Sequence, residues 1–230
     1  MGLRQELVSE VDAIFDTEFK ERDGRKVPEP EDVKLGNDAV KLDGTVLYAD
    51  LADSTGLVKK YYWWFAAEVY KAYLICSCKI IRRNNGGITA FDGDRVMAVY
   101  IGDWAETDAA RTGLQINYAV NEIINPKIKT RFTSDFELKH AVGIDRSSLH
   151  AVRTGIRGSN DLVWVGMAAN IAAKLCGFRD GCATNMTEDV YKNCDKSVIY
   201  GGLRQQHMWT SKYWRDQGKT VYQSSWQWEP

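Results

Sequence analysis

The sequence predicts an α+β fold, a mainly antiparallel sheet with helices over one face. Three observations lead there. The run "TVLYADL" is β-branched and aromatic, the composition of a strand. The stretch "ITAFDGDRVMAVYI" sets two apolar runs around Asp92-Gly93, the dipeptide of tight β-hairpins. Candidate elements succeed one another as strand, helix, hairpin, helix, strands, helix, strands, without the strict alternation of a parallel sheet.

Each element has its own warrant. Leu3, Leu7, Val11, Ile14, Phe15 and Phe19 stand at helical spacing over residues 3–20. The charged stretch "ERDGRKVPEPEDVKLGND" holds two of the four prolines and reads as a linker. Residues 1–38 are therefore read as an N-terminal helix and linker, and 39–230 as the main domain. Residues 45–51 form its first strand. Residues 57–83 read as one long helix, apolar on more than one face and ended by "NNGG". After the hairpin comes a second helix over about 104–124, stopped by Pro126. "FELKHAVGID" and "SLHAVRTGI" read as two strands, "DLVWVG" as a short extended piece and "MAANIAAKLCGF" as a compact helix. "TVYQSSWQW" is the last strand. No internal repeat or low-complexity tract is present.

Composition excludes several classes. The 230 residues are 44% hydrophobic and 27% charged, ordinary for a soluble domain. Thirty basic residues against 31 acidic ones leave a net charge of −1, so no global field favours nucleic acid. No apolar run approaches the roughly 20 residues of a membrane span. "MGLRQELVSEVDAIF" is amphipathic and acidic, unlike a secretion signal, and Gly2 lacks the Ser or Thr of a myristoylation site. Five cysteines, none in C-x-x-C, and single histidines at 140, 150 and 207 suggest a reduced, cytoplasmic chain without zinc.

The chemistry-bearing residues are acids. Asp50 ends the first strand, and Asp94 follows the Asp92-Gly93 turn. If that strand pairs beside the hairpin, both carboxylates meet at one end of the sheet. Like charges so placed repel unless a cation lies between them, and hard oxygen donors suit Mg²⁺ or Mn²⁺. "ADSTG" then opens a helix, whose first N–H groups favour an anion. Acid pair, divalent cation and helix start together describe a nucleoside triphosphate site. The plainer alternatives are that Asp53 or Ser54 is an N-cap and that Asp92 and Asp94 are turn residues.

Three segments, "LYADLADSTGL", "GGITAFDGDRVMAVY" and "VWVGMAANIAAKL", resemble in order and spacing the signatures of class III nucleotide cyclases. The likeness covers about residues 44–225. It implies the palm-type, ferredoxin-like domain of that family, a phosphorus–oxygen lyase. It makes Asp50 and Asp94, with the Leu51 carbonyl, metal ligands for two Mn²⁺ or Mg²⁺ ions per site, and the Ser54 and Thr55 N–H groups phosphate binders. Asn170 would orient the ribose. The family's transition-state arginine stands four residues on, where this chain has Lys174, which keeps the charge without the planar fork. The purine-reading positions hold Ala90 and Val163, so both selectors are absent. Tyr48, Arg95 and Trp164 crowd the same regions and would narrow the pocket toward a pyrimidine. Arg95 would donate to a base carbonyl. Altered selectors, the "GDR" continuation and the N-terminal helix look like the bacterial pyrimidine cyclases of Pycsar anti-phage systems. That implies synthesis of cyclic UMP or cyclic CMP in the cytoplasm, read by a cyclic-nucleotide-sensing effector. It further implies a homodimer with composite sites. UTP is taken as the substrate. CTP, ATP with other base readers, and a cyclase-like module without turnover stay open as alternatives. Arg215 or Lys219 in the tail would add a phosphate cation.

Overall fold

Alternation along β2 (Asp38–Leu51) organises the molecule. The structure, a computed structural model, describes residues 2–132, 134–178 and 180–230. Leu47, Ala49 and Leu51 enter one hydrophobic cluster with Phe65, Tyr73, Leu114 and Ile144. Val46 enters a second with Met97, Leu149 and Ala172, and Tyr48 packs at its border. Successive side chains of a strand point to opposite faces, so Tyr48 and Asp50 share the second face.

Among the described residues the main sheet has nine strands. Across it run β10 (Thr210–Trp214), β11 (Lys219–Ser224), β7 (Thr184–Thr187), β5 (His140–Ile156), β2, β4 (Arg95–Tyr100) and β3 (Gly87–Asp92). β1 (Lys20–Asp23) adds parallel to β2, and β6 (Ser159–Val165) antiparallel to β5. β5 and β7 are also parallel; the remaining pairs are antiparallel. β8 (Tyr200–Gly201) and β9 (Gln206–His207) form a separate small ribbon.

α2 (Ser54–Lys60) leads into α3 (Trp63–Arg83). That helix, α4 (Ala105–Tyr118), α5 (Asn125–Phe132), α7 (Glu188–Asn193) and α8 (Lys196–Ile199) lie over the first face. α1 (Leu3–Phe15) precedes the sheet. α6 (Met167–Leu175) departs from the one-face expectation: Ala168, Ala169 and Ala172 pack it on the opposite face.

Several boundaries differ from those read in the sequence. The 21–38 stretch, read as a linker, contains most of β1 and the fully buried Val33. β1 is "KERD", exposed throughout, so it shows no apolar period. Polar contacts hold it instead, Arg22 to Asp38 at 2.6 Å and His150 to Glu21 at 2.7 Å. The single helix over 57–83 breaks at Tyr61 and Tyr62, both extended. Consecutive aromatic side chains lose rotamer freedom on a helix, and here Tyr61 packs on Phe65 and Phe136. Pro126 does not stop the second helix. A π-helical turn over residues 119–124 leads without a break into α5, whose second residue is Pro126, so the helix runs on through the proline. The two strands read over 136–156 are one, β5. Its polar middle, "RSS", is engaged: Arg146 reaches Glu106 at 2.7 Å and Ser147 Oγ accepts from the Ala168 N–H at 3.0 Å.

Candidate active site

β2 and the β3–β4 hairpin bring the two acids together. Asp50 pairs with Arg95 across β2 and β4, and Arg95 pairs with Asp92 across the hairpin. The turn is therefore Gly93-Asp94, one residue later than read, with Gly93 in the left-handed region at φ +61°. Asp94 sits in the turn, one residue before the Arg95 that pairs with Asp50. Its Oδ2 is buried and accepts no hydrogen bond. Such a group is costly unless something satisfies it. Arg95 Nε lies 3.9 Å from Asp50 Oδ1, and its Nη2 donates to Asp92 at 3.1 Å. The fully buried Tyr73 phenol feels the charges of both acids. Burial raises its pKa well above the ordinary value, and the charges of Cys176, Asp50 and Asp94 push the same way.

Two carboxylates and a strand-end carbonyl are hard oxygen donors, and one is an orphaned buried oxygen. That set fits Mg²⁺ or Mn²⁺, which bind few protein ligands and leave positions for phosphates and water. No cluster of three or more His, Cys, Asp or Glu suited to a metal exists among the described residues. No disulfide joins any of the five cysteines. His140 is buried 5.9 Å from the Tyr73 ring, and burial lowers its pKa to about 4. It stays neutral at pH 7.

The helix start after Asp50 is occupied in part by its own cap. Asp53, at φ +57°, accepts from the Gly56 N–H at 3.2 Å. The capping alternative thus holds for Asp53, whose carboxylate competes with an anion for this turn. Ser54 and Thr55 open α2 and leave their N–H groups without helical acceptors.

Tyr48, Ala90 and Arg95 form one group. Tyr48 pairs with Met97, Met97 with Ala90, and the Arg95 guanidinium lies 5.5 Å from the Tyr48 ring centre. Trp164 and Val163 do not join it within one chain. Asp50 pairs with Ala141 of β5 and Trp164 with Ala151. Ten strand residues correspond to about 33 Å. Trp164 is a core residue there, and Val163 turns to the opposite, exposed side of β6.

Asn170 and Lys174 share the exposed face of α6, with no side-chain hydrogen bond or ion pair among the described residues. The opposite face is seated unusually close to the sheet. A Cβ on Gly143 would overlap the Ala172 carbonyl oxygen and come within 2.8 Å of Leu175 Cβ. Cys176 Sγ donates to the Tyr48 carbonyl at 3.4 Å, pinning the end of α6 to β2. Sequence reasoning overlooked Gly143, although an isolated glycine within a strand signals close backbone approach. We expect Gly143→Ala to destabilise the fold by about 1–3 kcal/mol, read as a lower urea midpoint at unchanged slope. An unchanged midpoint would show that α6 shifts freely. Arg215 and Lys219 lie at the β10–β11 turn, on the sheet edge opposite β3, apart from Asp50 within one chain.

Comparison with known proteins fits this geometry. The structure superposes on the guanylyl cyclase Cya2 with a TM-score of 0.68 at 15% identity, covering 83% of this chain and 95% of that one. It matches a bacterial light-regulated adenylyl cyclase with a TM-score of 0.69 at 20% identity, covering 86% of this chain. The chain spans about half of that longer protein, 55%. The fold is that of the class III nucleotide cyclase domain. In sequence, the chain is 46% identical over 232 residues to a uridylate cyclase of Xanthomonas perforans, covering 99% of both. It is also 46% identical to one of Burkholderia cepacia, again over 99% of both. The chain belongs to the uridylate cyclase family. No protein-family model matches it.

Proposed function

We propose that the protein converts UTP to 3′,5′-cyclic UMP and pyrophosphate. The ribose 3′-oxygen forms a bond to the α-phosphorus, the bond from that phosphorus to the bridging oxygen breaks, and the 3′ proton leaves to solvent. The observation that carries this reading is the buried, unpaired Asp94 Oδ2 beside Asp50, in a chain similar over its whole length to uridylate cyclases. Divalent ions, Mn²⁺ or Mg²⁺ and two per site, would when bound lower the 3′-hydroxyl pKa and offset charge on the triphosphate. Asp50, Asp94 and the Leu51 carbonyl would hold them. The Ser54 and Thr55 N–H groups steady the phosphates. Tyr48 and Arg95 face the base; the ring supplies a flat apolar surface and the guanidinium donates to uracil O4 or O2. Ala90 has no group to engage a purine.

Asn170 and Lys174 come from a second copy in this reading. Their exposure on α6 without partners supports it, as does the separation of Trp164 from Asp50 within one chain. Asn170 orients the ribose. Lys174 places a positive charge against the phosphoryl group as charge develops there, the kind of contact that contributes most in phosphoryl transfer. The product would act as a second messenger in anti-phage defence, read by a separate effector in the cytoplasm. Among the described residues no helix is long and apolar enough to cross a membrane.

The test is incubation of the purified protein with Mn²⁺ and each ribonucleoside triphosphate in turn. We expect cyclic UMP from UTP, in clear excess over any cyclic CMP. ATP turnover would sink the pyrimidine assignment. Silence with all four would favour nucleotide binding without catalysis, a reading that Lys174 in place of the family's arginine supports.

A further inference from the structure

Two apolar surfaces of this chain are left uncovered by it. The first is α1. None of its residues is buried, and Leu3, Leu7, Val11 and Ile14 are 69%, 52%, 45% and 52% exposed. They follow at intervals of four, four and three, an apolar stripe on one side of the helix. Thirteen residues form a marginal helix in water without such a stripe being covered. The second surface is a groove of about 310 Å³ between α3 and the helical segment over residues 119–132. Val69, Ile75, Cys76, Ile123, Ile128 and Phe132 line it. Ile75 and Ile123 are themselves exposed.

Charge matches the two. α1 carries Glu6, Glu10 and Asp12 against Arg4. The groove is edged by Lys127 and Arg131 against Glu68. The chain's own α1 does not fill the groove: the Asn37 side chain donates to the Ile14 carbonyl at 2.8 Å, rooting the helix at the start of β2. We propose that α1 of one copy docks in the α3–α5 groove of a second copy. Both surfaces recur on every copy, so the contact is reciprocal or head-to-tail.

The native thiol of Cys76, in the groove wall, permits a direct test. A full-length chain carrying Val11→Cys and Cys76→Ala is mixed with the unmodified chain, oxidised with copper phenanthroline and mapped by mass spectrometry. A disulfide from position 11 to Cys76 then joins different chains. That link is expected to dominate the products of the introduced thiol. It should fall about tenfold when the Cys76 chain carries Lys127→Glu and Arg131→Glu, and return when α1 also carries Glu6→Lys and Glu10→Lys. A yield no higher than from Leu203→Cys, a fully exposed control site, overturns the proposal. So does a link that forms only when one chain carries both thiols, which would be fold-back. The readout needs no nucleotide and is independent of the cyclase reaction.

Discussion

Asp94→Ala is expected to lower the rate of cyclic UMP formation by about 10³-fold or more, and Asp50→Ala to be as severe. Phosphoryl transfer leaves the protein little covalent chemistry, so positioning and charge carry the rate. In the proposed site both carboxylates would serve the same ions and the same triphosphate, so loss of either should disable the pair, and the double variant should be little worse. The fold should survive. Asp94 lies in a two-residue turn, and its buried Oδ2 accepts no hydrogen bond. Removing an unsatisfied buried acceptor is neutral or stabilising. Initial rates with Mn²⁺ and UTP, beside urea midpoints, separate the two effects. Activity within tenfold of the unmodified protein would place Asp94 outside the chemistry; a collapsed midpoint would make it a structural residue.

The acid pair was legible because two short-range signals coincide. The β-branched and aromatic run "TVLYADL" put Asp50 at the end of a strand, and the Asp-Gly dipeptide placed Asp94 just after a hairpin turn. Local rules of this kind need no tertiary information, and they erred by only one residue in the turn. Elements held by polar contacts were hidden. β1 has no apolar side chain to pattern, and its pairing rests on Arg22–Asp38 and Glu21–His150. The polar "RSS" inside β5 read as an interruption because its partners, Glu106 and the N-terminus of α6, are distant in sequence.

The placement of the proposed base-reading residues shows a different limit. Ala90 and Arg95 are joined by hairpin register, which a hairpin pattern implies, and Tyr48 joins them through the β2–β4 pairing. Trp164 and Val163 were assigned by position in a motif, and their relation to Asp50 depends on where β6 pairs along a 17-residue strand. Nothing local encodes that register. The seat of α6 on the second face, against Gly143, was likewise open until the helix had a surface to meet. The composition of "MAANIAAKL" is compatible with packing on either side of a sheet.

Complementation between two dead chains tests the central claim most directly, that one copy's aspartates act with the other copy's Asn170 and Lys174. Asp50→Ala and Asn170→Ala chains are each expected to be nearly inactive alone. In a mixed pair, one site takes both lesions and the other takes neither. Random exchange at equal amounts makes half the pairs mixed, so about a quarter of the unmodified activity should return. Initial rates of cyclic UMP formation across mixing ratios, after subunit exchange, should peak at one to one. A rate no greater than the sum of the two variants at every ratio would contradict the shared site and confine the chemistry to a single chain.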